Sequence, residues 1–220
     1  MIDADVVEFM NKFKESPLKI IRTYSYDVFL DFLDGYLYRE TENSESIQLI
    51  KKFKNYICKY FDVYNTKCNE LMLLKYYTVS DDQAFNLLFD LFENFIKGNI
   101  YPEYNKNQIN QQSFHNKHLD LKSNPLLDCL IRVKNQPAFV GTPPSFYRLS
   151  EILSMNCQNN RNVSEFMYKL SIFLFDHYQL PNAPRPSITI INLFTESDEE
   201  AFYKFFELFD EFIATNRIEE

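Results

Sequence analysis

The chain has 220 residues, 45% of them hydrophobic, with a formal net charge of −8 and a pI near 5.0. This is enough apolar material for one large domain or two small ones, under an acidic surface that disfavours nucleic acid and anionic membranes as partners. Only 3 glycines occur, which argues against a turn-rich Greek-key sandwich and against a glycine-rich phosphate loop.

The opening stretch 3–15 reads as a helix. Its first residues, MIDADVVEFM, carry two aspartates and no basic region, so a secretory signal is not expected. Residues 25–37 read as a shorter helix begun by Ser25. Over 44–61, Ile47, Ile50, Tyr56, Ile57 and Tyr60 lie near one face, with Lys51, Lys52, Lys54 and Lys59 largely opposite as a solvated side. Residues 69–77 read as helical.

The segment SDDQAFNLLFDLFENFI at 80–96 is the clearest element. Phe85, Leu88, Phe89, Phe92, Phe95 and Ile96 recur at helical spacing on one face. Ser80 stands at the N-cap with Gln83 three residues on, the capping-box arrangement. Asp81 and Asp82 fall in the first turn, where the helix dipole favours negative charge.

Residues 97–123 are rich in Asn and Gln and lack apolar periodicity, so they read as a linker. His115 and His118 form H-x-x-H there without a third ligand, and no metal site is expected. Helices are expected again over 124–134, over 145–156 begun by Ser145, over 161–178 and over 197–213. SITIINLF at 187–194 has the β-branched look of a strand, but its counterpart at 69–77 reads as helical, so both are taken as helical.

That counterpart exists because the chain repeats itself. Aligning 78–96 with 195–213, an offset of 117, leaves ten of nineteen positions identical. The same offset places 51–63 on 168–180, and an offset of 120 places 16–33 on 136–153. Periodic repeats dictate architecture. The expected fold is all-α: two tandem copies of a four- to five-helix unit related by a pseudo-two-fold axis. The boundaries are 1–98 for the first copy, 99–122 for the polar linker and 123–220 for the second. Phe89 and Phe206 are expected to be equivalent core residues.

Catalytic and cofactor motifs are not legible. Cys58, Cys68, Cys129 and Cys157 include no C-x-x-C pair and no zinc spacing, and His115, His118 and His177 belong to no signature. No apolar run approaches a membrane span of about 18 residues. The expectation is a reduced, cytoplasmic, non-enzymatic protein without cofactor, metal, nucleic-acid or membrane partner.

Short motifs carry a resemblance. The second copy has QPAFVGTPPSFYRLSEIL with Pro137 and Gly141, the first has FLDFLDGYLYR with Gly35 and Tyr36, and both end in S-D-x-x-A-F-x-x-x-F-x-L-F-x-x-F. Together these resemble small bacterial immunity-type proteins with the layout R-P-x-x-Y-x-G, then G-Y, then the capped acidic helix. Such proteins are encoded beside polymorphic or contact-dependent toxins. Here the pattern is split between a degenerate tandem pair, and neither copy has the arginine–proline start. The resemblance implies a cytoplasmic protein that neutralises a toxin by direct binding, with a basic toxin domain as partner. A helical scaffold or regulatory interaction protein is the alternative, and an enzyme of unknown reaction ranks below it. Acidic balance favours rapid, electrostatically steered association with a basic partner. The exposed side of the last helix offers Glu207, Asp210 and Glu211 as partner-binding residues, against Asp90 and Glu93 in the first copy.

Overall fold

A computed structural model describes residues 4–40, 44–67, 69–99, 124–157, 160–180 and 183–217. Helix is the regular structure throughout, and no strand occurs among the described residues. The described residues form two compact units. The described residues of the first fall within Met1–Tyr64, Glu70–Asn105 and Ala183–Arg185, and those of the second within Asn65–Asn69, Lys106–Asn182 and Pro186–Glu220.

The first unit contains α1 (Ala4–Glu15), α2 (Pro17–Ile20), α3 (Tyr26–Leu37), α4 (Glu45–Phe61), α5 (Met72–Tyr76) and α6 (Asp81–Ile96). Its core is aromatic and centres on Phe85 of α6. That ring meets Tyr26 edge-on at 5.2 Å and Phe29 at 5.6 Å, with Phe13 also at 5.6 Å. All four side chains are buried. Two turns further on, Phe92 meets Phe53 of α4 edge-on at 5.0 Å. Edge-to-face pairs contribute about 0.5–1.5 kcal/mol each beyond area burial, so the phenylalanine periodicity of α6 sets the packing as well as the helix.

The second unit contains α7 (Pro125–Asn135), a 3₁₀ turn at Pro137–Val140, α8 (Phe146–Cys157), α9 (Arg161–His177), a 3₁₀ segment at Ile188–Leu193 and α10 (Asp198–Arg217). Phe202, Phe205, Phe206, Phe209 and Phe212 of α10 are all buried. Phe205 packs on Phe146 of α8 at 5.6 Å, and Phe212 meets Phe166 of α9 edge-on at 5.6 Å.

The same local devices appear in both units. The N–H of Gln83 donates to Ser80 Oγ and that of Glu200 to Ser197 Oγ, while Gln83 and Glu200 accept from the N–H groups of Val79 and Glu196. These capping bonds satisfy donors that a helix start leaves unpaired. The Thr78 hydroxyl donates to the Leu74 carbonyl, and the Thr195 hydroxyl to that of Ile191. The helices α4 and α9 are followed by left-handed residues, Asp62 (φ 57°) and Gln179 (φ 54°). The next N–H then folds back in each case, from Val63 to Cys58 O and from Leu180 to Phe175 O.

Several expectations need correction. Ser25 stands at the N-cap of α3 as expected, but its side chain makes no cap bond; the carboxylate of Asp81, 55 residues beyond Tyr26, takes the Tyr26 N–H at 2.9 Å. Ser145 does cap, accepting from the Arg148 N–H. Phe89 and Phe206 are not equivalent in burial: Phe206 is 5% exposed, whereas Phe89 is only half-buried. Within 69–77 the helix covers only Met72–Tyr76, and within 187–194 the β-branched Ile188–Leu193 winds as a tighter 3₁₀ segment. The short helix α2 and the turn Pro137–Val140 were not anticipated; each has proline near its start, where a missing N–H costs nothing. Of the linker reading, residues 100–123, with His115 and His118, lie outside the described residues.

The two glycines of the resemblance behave differently. Gly141 has φ +122°, and an added Cβ meets Pro143 O at 3.0 Å and Arg148 Nη1 at 3.3 Å. Only glycine fits that backbone without strain. A Cβ at Gly35, within α3, meets nothing within 4 Å.

Candidate functional site

Two groups of polar residues stand out: a closed network at the start of α6, and an acidic ridge on α10. The network forms around Asp81. Arg185, one of the residues that complete the first unit, places Nη1 2.9 Å from Asp81 Oδ1. Its Nε donates to the carbonyls of Lys75 (2.9 Å) and Thr78 (2.7 Å), Nη2 donates to Thr78 Oγ1 (3.1 Å), and its backbone N–H donates to Tyr76 O (3.1 Å). Arg185 thus caps the end of α5, its guanidinium at the Lys75 carbonyl and its backbone N–H at that of Tyr76, where positive charge is favoured. Pro184 and Pro186 flank Arg185. Neither has an N–H, so Arg185 supplies the backbone donor across those three residues, on chain restricted at both sides.

Asp81 uses Oδ1 for Arg185 and Oδ2 for the Tyr26 N–H. Burial alone raises its pKa, but the Tyr26 N–H and the Arg185 guanidinium, with Lys75 further off, outweigh this and hold the carboxyl below its ordinary range. Nearby, Lys75 pairs with Asp27. Tyr24 packs on Phe85 at 4.8 Å; burial, then the charges of Asp82 and Asp81, push its hydroxyl up. The buried Tyr26 hydroxyl donates to Leu71 O. With both Asp81 oxygens and every guanidinium nitrogen of Arg185 engaged, the network ties α3, α5 and α6 together. It does not present a base or a nucleophile to solvent.

The corresponding place in the second unit uses different residues. Asp198 Oδ1 accepts the Tyr147 N–H at 2.7 Å at the start of α8. The Lys67 N–H donates to Leu193 O, and its ammonium lies 3.1 Å from Glu196 and 3.5 Å from Glu200. A lysine replaces the arginine there, and the contacts are exposed rather than half-buried.

No family model, curated protein or solved structure matches the chain.

The acidic ridge is where the sequence places it. Glu207, Asp210 and Glu211 occupy i, i+3 and i+4 of α10 on the side away from the buried phenylalanines, and their side chains are 59%, 56% and 51% exposed. Each also has a basic side chain of the same unit beside it. Lys204 lies 2.9 Å from Glu207, Lys134 salt-bridges Asp210, and His177 Nδ1 lies 3.8 Å from Glu211. The acids form one ridge, but it is partly neutralised, a feature their spacing along α10 does not reveal. In the first unit Glu93 is likewise taken by Lys14 and Lys97.

Other candidates are scattered. Cys58 is buried, and Cys129 and Cys157 are half-buried on separate helices; Cys68 lies outside the described residues. Among the described residues, no group of three His, Cys, Asp or Glu is placed to hold a metal, and no helix is long and apolar enough to cross a membrane. Arg185 is the functional-looking residue that sequence reasoning missed; its one local signal was the P-R-P context.

Behind the ridge lies one unusual group. The Tyr178 ring stacks on Phe194 at 4.0 Å, and its hydroxyl is buried with no hydrogen-bond partner among the described residues. Burial, then the charges of Glu207 and Glu200, push that hydroxyl up to about 12. A buried unpaired hydroxyl is costly. Tyr178→Phe therefore raises the unfolding free energy by about 1 kcal/mol in denaturant titrations at neutral pH. Because the folded pKa lies above that of a free tyrosine, wild-type stability is complete below about pH 10 and declines as the pH rises toward the folded value. The Phe variant declines less over that range, since the raised hydroxyls of Tyr24 and Tyr26 still titrate in it, and equal alkaline loss in both proteins counts against the assignment.

Proposed function

We propose that the chain is a non-enzymatic binding protein made of two tandem copies of one helical unit. More specifically, we read it as a cytoplasmic immunity-type protein that neutralises a basic toxin domain by direct contact. The duplication draws support from the ten-in-nineteen match and from bonds that recur at the same offset of 117: Thr78 and Thr195, Gln83 and Glu200, Val63 and Leu180. The binding reading rests on one observation. Glu207, Asp210 and Glu211 form an exposed acidic ridge on one helix, while the aromatic face of that helix is committed to the core.

Lys204, Lys134 and His177 modify this reading. A basic partner must compete with them for the carboxylates, so the ridge contributes more to the rate of encounter than to final affinity. The test uses the C-terminal domain encoded by the adjoining upstream gene. Glu207→Gln, Asp210→Asn and Glu211→Gln together slow its association by about tenfold at low salt, and by less at high salt, where screening already weakens steering. The melt changes little, since exposed ion pairs contribute about 0–1 kcal/mol each. Unaltered association kinetics at low ionic strength reject the ridge. A neighbouring gene that encodes a metabolic enzyme, with no toxin domain, rejects the immunity reading itself.

A further inference from the structure

In the first unit α1 and α6 leave a groove of about 340 Å³ between them. Val7 and Met10 line it from α1, and Phe89, Phe92 and Ile96 from α6. Its charged residues are Lys14, Glu93 and Lys97, all at least 49% exposed. Glu93 serves both lysines: its Oε1 lies 2.6 Å from Lys97 Nζ and its Oε2 3.5 Å from Lys14 Nζ. Two ammonium groups share one carboxylate, so the rim keeps one positive charge in excess. Lys14 Nζ also stands 5.9 Å from the centre of the Phe89 ring, at the junction of rim and floor.

The second unit shows that this opening is not forced by the helix pattern. On the sequence offsets, Leu127 and Ile131 of α7 stand where α1 has Val7 and Asn11, and Ala214 of α10 stands where α6 is followed by Lys97. There Phe206 is 5% and Ile213 9% exposed, while their counterparts Phe89 and Ile96 are half-buried. Lys134 pairs with Asp210 one to one. In the second unit the residues matching Phe89 and Ile96 are covered, and Asp210, which matches Glu93, meets Lys134 while Ala214 stands in place of the second lysine.

We propose that this groove binds a free medium-chain carboxylate: one unbranched alkyl chain on the Val7–Met10–Phe89–Phe92–Ile96 floor, with its carboxylate between Lys14 and Lys97. The floor offers dispersion contacts and no hydrogen-bonding side chain apart from Asn11, which suits an alkyl body rather than a polar ligand. The volume is at the lower end of small-molecule sites, which run to roughly 300–1,000 Å³, so it admits a single chain and not a two-chain lipid. The net positive rim selects an anionic head over a cationic one. The site is separate from the acidic ridge of α10, and it stands or falls independently of the toxin-binding reading.

The test is calorimetric titration of the full chain with dodecanoate, dodecanol and dodecyltrimethylammonium. Dodecanoate binds saturably, and each of the other two binds at least about tenfold more weakly because the lysines gain nothing from them. Lys14→Gln with Lys97→Gln, which leaves Glu93 to repel the head, weakens dodecanoate by about tenfold or more and removes most of its salt dependence. Asn11→Ile with Val7→Leu, the residues of the second unit, removes binding while the melt is held or raised. The lysine variant, exposed on both sites, decides the matter if the packed variant does not fold. Absence of dodecanoate binding overturns the proposal. So does equal binding of dodecyltrimethylammonium, undiminished binding in the lysine variant, or binding to phosphatidylglycerol vesicles without binding of the free carboxylate.

Discussion

Alanine at Phe206 lowers the unfolding free energy by about 3–5 kcal/mol, as for other buried aromatic side chains, and alanine at Phe89 lowers it by about 1–2 kcal/mol. The two residues occupy matching places in the repeated segments. Phe206 packs on Phe202, Phe205 and Phe209 at centroid distances of 5.0, 5.1 and 6.2 Å and is 5% exposed. Truncating it removes the transfer free energy of a ring and leaves a cavity walled by other rings, which cannot collapse onto one side chain. Phe89 touches Phe13 at 6.2 Å and Phe85 at 6.4 Å, and its other side faces the groove. Truncating it widens an opening that solvent already reaches, so the cavity cost is largely absent. Guanidinium unfolding of the two variants checks this. Equal losses within error mean that Phe89 is covered as fully as Phe206, and the groove does not exist as described.

This difference marks how far the sequence could be read. Phe85, Phe92, Phe202 and Phe209 were legible as core because helical periodicity is a property of neighbours along the chain. The capping pairs Ser80–Gln83 and Ser197–Glu200 were legible for the same reason: three residues suffice to define them. Phe89 was not, because its exposure depends on Val7 and Asn11, more than seventy positions away, and local pattern is silent on them. Likewise the outward side of Glu207, Asp210 and Glu211 follows from the phase of α10, but the basic side chains beside two of them, Lys134 on α7 and His177 on α9, come from other helices. The sequence pattern assigns Asp81 to its own helix dipole. Its first-turn position was correct, yet its carboxylate serves the start of α3 and the guanidinium of Arg185, and no spacing rule links residues 26, 81 and 185.

Replacing Arg185 by alanine costs about 2–3 kcal/mol in the stability of the first unit, because hydrogen bonds to charged groups are worth more than neutral ones and their partners are left half-buried. The Arg185 side chain is 27% and that of Asp81 30% exposed, so removing the guanidinium leaves Asp81 Oδ1, Thr78 O and Lys75 O without that donor where water only partly replaces it. Arg185→Lys recovers little. One ammonium cannot reach two carbonyls, a hydroxyl and a carboxylate together, a task that suits the planar fork of arginine. The pH dependence separates this clamp from a simple loss of packing. The folded Asp81 carboxyl sits below its ordinary pKa, so its contribution is complete above the unfolded value of about 3.9 and is lost as the pH falls through the folded value. Wild-type stability therefore declines across that acid window more steeply than that of Asp81→Asn, which has no carboxyl to titrate. Arg185→Ala falls between them, since the Tyr26 N–H still holds one oxygen. Identical acid profiles for all three proteins, or an alanine variant as stable as wild type at neutral pH, would show that the network around Asp81 carries no part of the fold.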